Sequence, residues 1–69
     1  MLAVSVSFND RGVWSKGYTY KSKIPVNKDD LVIVPVGNHW SVGKVRSVKE
    51  SYDFKSGIEY KHIHSKFEP

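Results

Sequence analysis

The chain has no cysteine, which excludes disulfide staples and thiolate metal sites at once. Leucine and alanine are scarce too: two Leu and one Ala stand against ten Val and four Ile. Side chains branched at Cβ suit a pleated sheet and fill helix surfaces poorly. No window carries apolar residues at helical spacing for long enough to make a helix. No apolar run approaches the ~18 residues of a membrane span. Residues 1–4 lack the basic start and apolar middle of a secretory leader, so a cytoplasmic protein without membrane contact is expected. The five glycines are scattered singly, which leaves no phosphate-cradling loop. No serine sits in a Gly-x-Ser-x-Gly setting. Catalysis is not expected, nor is a cofactor.

What is present is a 69-residue chain with 13% aromatic residues and a formal charge of +4. A chain this short buries only about 60% of the surface it exposes when unfolded. It therefore needs a consistent strand pattern or a partner to be stable. Leu2, Val4, Val6 and Phe8 alternate with Ala3, Ser5 and Ser7, predicting a strand with one buried face and one small, wet face. Asn9-Asp10-Arg11-Gly12 reads as a turn. Residues 13–23 read as a second strand, bent or bulged at Gly17. Leu31 to Val36 is apolar throughout, predicting a strand covered on both faces, with Pro35 at an edge or strand end. Gly37-Asn38-His39 turns the chain into a fourth strand, residues 40–48, whose alternation fails around Gly43 and predicts a bulge or sharp bend there. Residues 49–57 form a longer connection, and residues 58–67 a closing strand. Five short strands with frequent turns predict an all-β fold: a single antiparallel barrel of the Src-homology-three (SH3-like) type, with no substantial helix, over residues 1–69.

Tyr18-Thr19-Tyr20-Lys21, Pro25, Asp30-Leu31-Val32-Ile33-Val34-Pro35-Val36, Val42-Gly43-Lys44-Val45 and the closing Tyr60-Lys61-His62-Ile63-His64-Ser65-Lys66 make a recognisable sequence of segments. Over residues 18–66 the chain resembles small uncharacterised proteins of short-tailed lytic bacteriophages. More distantly it resembles the N-terminal DNA-binding domain of the primosomal helicase PriA, although Asp29-Asp30 stand where that domain has a glycine. The first resemblance implies a phage accessory protein acting in the host bacterial cytoplasm. The second implies a compact barrel that handles DNA. Both rest on strand and turn residues and so speak to fold more than to activity.

The charge is uneven. In residues 1–23, Arg11, Lys16, Lys21 and Lys23 stand against Asp10 alone, beside Trp14, Tyr18 and Tyr20. Cations that neutralise phosphates, next to flat rings on which bases stack, make a general nucleic-acid surface. Lys44 and Arg46, two apart on one strand, would extend it on a shared face. The plainer alternative puts the rings in the core and the lysines on an ordinary solubilising surface. A rival function is protein binding, such as inhibition of a host enzyme, with Trp40, Tyr52 and Phe54 as the anchor residues. A homo-oligomer paired through edge strands is a further alternative. His62 and His64 share a strand face, but without cysteine they fall short of a structural zinc set, and no metal is expected. Asp29 and Asp30 read as turn residues.

Overall fold

The computed structural model describes residues 1–68, and within them the chain is all-β without a helix. The strands are β1 (Leu2–Ser7), β2 (Asn9–Asp10), β3 (Val13–Trp14), β4 (Tyr18–Ser22), β5 (Leu31–Val36), β6 (His39–Lys49) and β7 (Ser65–Lys66). Five of them form one antiparallel sheet in the order β4-β1-β6-β5-β7, while β2 and β3 make a separate two-stranded ribbon. Among the described residues no helix is long and apolar enough to cross a membrane.

Alternation in β1 turns Val4 and Val6 inward, where they meet Val32, Val34, Val45, Tyr20, Val26 and Ile63. No apolar side chain larger than valine is fully sealed in this core. The opposite face of β1 is not wet. Ala3 and Ser7 are buried there as well, because small residues let other backbone come close. A methyl group added at Gly17 would overlap the Ser5 Oγ, and Tyr52 from the connection after β6 shares a cavity with Ala3 and Ser5.

The second predicted strand divides in two. β3 folds back on β2, stitched by Phe8 N–H donating to Ser15 Oγ (3.0 Å) and Ser15 N–H donating to the Phe8 carbonyl (2.9 Å). The chain then bends through Gly17 and enters β4, which pairs with β1.

β5 and β6 form a hairpin closed at Val36 and His39. Gly37, with φ 56°, supplies the positive dihedral that a two-residue type II′ loop needs at its first position. Pro35 stands opposite Trp40 at the strand end, and β7 reaches only Val32 and Ile33 on the other side. Its missing N–H therefore interrupts no ladder. The predicted double coverage of β5 is not found: Val32 and Val34 are buried, whereas Leu31 is exposed and Ile33 half-buried.

β6 pairs with β5 through residues 39–44 and with β1 through residues 44–49. The register break falls at Arg46, which has no partner between Val45 and Ser47, and not at Gly43. Gly43 has another role. A Cβ there would overlap Val6 Cγ1 and sit 3.1 Å from Phe8 Cε1, so glycine lets the two halves of the sheet approach where β6 crosses between them.

The predicted closing strand is mostly irregular. Its regular part is β7, preceded by a single parallel bridge between His62 and Lys21. Even so, residues 61–67 bond to both sides of the sheet. Lys21 N–H donates to the Lys61 carbonyl and Ile63 N–H to the Lys21 carbonyl, each at 2.9 Å. Next, His64 N–H donates to the Ile33 carbonyl at 2.9 Å and Phe67 N–H to the Leu31 carbonyl at 2.8 Å.

Candidate nucleic-acid interface

Strand β4 positions the first of the candidate rings. Tyr18 and Tyr20 point the same way, but Tyr20 reaches the core at 7% exposure while Tyr18 stays at the rim at 46%. Burial, with Tyr18 nearby adding to it, pushes the Tyr20 phenol up from its ordinary value. It remains a neutral donor, held on the Pro35 carbonyl at 3.1 Å. Tyr20 is thus a core residue and presents no ring face for stacking. Tyr18 packs tilted against Phe8, their centroids 6.0 Å apart, and Lys16 Nζ stands 5.7 Å from its ring.

The connection after β6 supplies the other wall. Tyr52, Phe54 and Tyr60 pack edge to face, with centroids 4.9, 5.0 and 6.5 Å apart. Lys21 Nζ lies 4.9 Å from the Phe54 ring and 5.9 Å from Tyr60, while Lys49 Nζ lies 6.0 Å from Tyr52. The Tyr60 hydroxyl accepts the Lys55 N–H at 3.3 Å, which draws the connection into a loop.

Between β4 and this loop runs an open groove of about 560 Å³. Lys16, Lys55 and Lys61 line it with Tyr18, Tyr52 and Tyr60, against a single carboxylate, Glu59. A cation over a ring face within about 6 Å of its centroid is attracted by the ring quadrupole. The described residues hold five close approaches of a lysine to a ring, four of them on Tyr18 or the loop's three rings.

The remaining predicted residues lie elsewhere. Arg11, with φ 54°, occupies the tip of the β2–β3 ribbon. Trp14 receives Lys44 Nζ at 5.4 Å, and Lys44 also pairs with Asp29 at 3.9 Å. The bulge at Arg46 separates it from Lys44; Arg46 borders a hollow with Leu2, Pro25, Lys28 and Glu50 instead. Lys23 lies beside His62 and His64. The predicted single basic stripe is therefore dispersed: Lys16 and Tyr18 stay at the groove, and Lys21 lies under the loop. Trp40 does not join Tyr52 and Phe54. It is 60% exposed and meets His64 edge to face at 4.9 Å.

Lys55, Tyr60 and Lys61 are groove residues that sequence reasoning passed over. The signal was the alternation of lysines and rings between Lys49 and Lys61, masked by the zero net charge of residues 51–69. Among the described residues no three His, Asp or Glu side chains gather as a metal set. Asp29 and Asp30 build the turn onto β6: Asp29 N–H donates to the Val45 carbonyl, and Val45 N–H to the Asp30 carbonyl, each at 2.9 Å. The Asn27 N–H, 2.8 Å from Asp30 Oδ2, holds that carboxyl below the ordinary aspartate range, with Lys66 at 3.5 Å adding to the effect. No protein-family model, curated protein or solved structure matches the chain.

Proposed function

We propose that this chain is a non-enzymatic binding module whose ligand is nucleic acid, DNA foremost, held in the groove between β4 and the loop of residues 50–60. One observation carries the reading. Segments some forty residues apart bring Lys16, Lys55 and Lys61 alongside Tyr18, Tyr52 and Tyr60, with only Glu59 opposing them. Lysines neutralise phosphates, and each stacked base contributes about 1–3 kcal/mol. The fold is read as an SH3-like barrel, supported by the bonds that residues 61–67 make to both β4 and β5. The resemblance to proteins of short-tailed phages supports reading such a module as an accessory factor of the host bacterial cytoplasm.

Fluorescence anisotropy with labelled DNA across a salt series tests this. Affinity is expected to fall steeply with salt, and Lys16→Glu with Lys61→Glu to flatten the log–log slope by about two. No binding of single-stranded or duplex DNA at low salt would sink the reading.

A second reading is favoured by one separate feature. Trp40, Val42 and Leu31 are exposed on the outer face of the β5–β6 hairpin, with Phe67 beside them. Exposed aromatic and aliphatic side chains of this kind anchor protein interfaces, including one with a host nucleic-acid-handling enzyme. A protein captured from nuclease-treated bacterial lysate by the native chain but not by Trp40→Ala would support it. At Lys21 the β4 edge is closed to self-pairing, because its N–H and carbonyl are both already bonded.

A further inference from the structure

The outer face of β4, β1 and β6 carries an arrangement that the groove does not use. Ser5 stands opposite both Thr19 and Ser47, so three hydroxyl groups form a row across three strands. Ala3 stands opposite both Lys21 and Lys49, so the adjacent row is lysine, alanine, lysine. Residues two apart on a strand share a face, and directly opposed residues sit about 4.5–5.5 Å apart. The two rows therefore lie side by side, with two ammonium stems rising on either side of a methyl group.

Ser5, Thr19, Ser47 and Lys49 line a cavity of about 230 Å³, floored by Ala3 and Val4 and walled by Tyr52. No carboxylate borders it. Neither Lys21 nor Lys49 takes part in the described ion pairs, which use Lys44 and Lys66. Both ammonium groups rest on ring faces alone, Lys21 on Phe54 and Tyr60 and Lys49 on Tyr52. The described side-chain hydrogen bonds leave the three hydroxyls free to donate.

We propose that this cradle binds the phosphate group of a phosphate ester. The Thr19, Ser5 and Ser47 hydroxyls donate to its oxygens from below, and Lys49 donates from the cavity wall. Lys21, which lies outside the lining, turns from its seat on Phe54 and Tyr60 to donate from the other side of Ala3, and Tyr52 covers the organic part of the ester. A phosphate has acceptor-only oxygens pointing in several directions and takes short, charge-assisted hydrogen bonds. Five donors from three strands suit it better than the two oxygens of a carboxylate. The cradle shares Thr19 and Tyr52 with the groove but does not rest on the groove's reading, since a free ester needs no strand beside it.

The test is an amide NMR titration of the full chain with thymidine 5′-monophosphate, with thymidine, and with an oligothymidylate lacking terminal phosphates. Saturable shifts at Ser5, Thr19, Ser47 and Lys49 with the mononucleotide support a cradle for a terminal phosphate. The same shifts with the oligonucleotide alone support one for a backbone phosphate. Lys21→Gln and Lys49→Gln are each expected to weaken binding about tenfold. Exposed Ser47→Ala, which the fold tolerates, weakens it by a smaller factor, and matching amide spectra of the free variants verify folding. The proposal is overturned if thymidine shifts the same residues equally. It is also overturned if neither phosphate ligand moves them, even where DNA binds along the groove lysines.

Discussion

Strand β6 serves two outer faces, and they are finished in opposite ways. Past the bulge, Ser47 and Lys49 are themselves exposed but border a cavity with Tyr52, and on the face shared with β1 and β4 the chain's own loop covers Ala3. Before the bulge, Trp40 and Val42 stand opposite Pro35 and Ile33 on a face that solvent reaches. Floor size accounts for part of the difference. Ala3 and Ser5 are small enough for a ring-bearing loop to settle on them, whereas Leu31, Ile33 and Trp40 fill the space a covering segment would need. Polar partners account for the rest. Each roof ring has a lysine over it, while Trp40 has only the edge of His64. In a domain whose fully sealed apolar side chains are all valines, a loop held by cation–ring contacts extends burial where aliphatic packing ran short.

The heaviest blow to this division falls at its joint. Gly43→Val forces a branched side chain into Val6 and Phe8 and is expected to cost about 3 kcal/mol or more. Urea unfolding should find the variant largely unfolded without denaturant; a near-native midpoint would show that the two halves do not meet there. Phe54→Ala removes one ring and the nearest seat of Lys21, with an expected loss of about 1–2 kcal/mol from packing and cation–π contact. Hydrogen exchange at Ala3 and Lys21 should speed up while Val34 stays protected. Equal acceleration at all three would erase the distinction between roofed and bare faces.

Acid acts on the bare side's support. Because the Asp30 carboxyl titrates below its unfolded value, its contribution is present above that value and lost as pH falls below about 4. Thermal unfolding of Asp30→Asn should therefore be less sensitive to pH in that window than the native chain. The smallest effect is expected from Trp40→Ser, within about 0.5 kcal/mol. A loss above 2 kcal/mol would mean that the hairpin face is no freer than its counterpart.

Strict alternation made β1 legible, and a glycine turn between two valine-rich runs did the same for the β5–β6 hairpin. Parity could not separate Tyr18 from Tyr20, since both point the same way and only their distance from the buried core differs. The ribbon was hidden because Ser15, which ties its base to Phe8, looks like any polar strand residue. Gly43 drew attention from Arg46 because glycine marks close approach as readily as a bulge. Of the candidate site, Lys16, Tyr18 and Lys21 were visible in the charge of the first third. The opposite wall was not, because the lysines and rings of residues 49–61 acquire a common purpose only once the loop lies against β4.

The bonds from residues 61–67 have a consequence for synthesis. During N-to-C translation β1, β4, β5 and β6 are all available before the segment that occupies their flanks. Until it emerges, Lys21 on one side and Leu31 and Ile33 on the other present unpaired backbone groups, the form in which strands pair with the wrong neighbour. The interval between residue 49 and residue 67 leaving the ribosome is when this chain is most open to capture by another copy of itself.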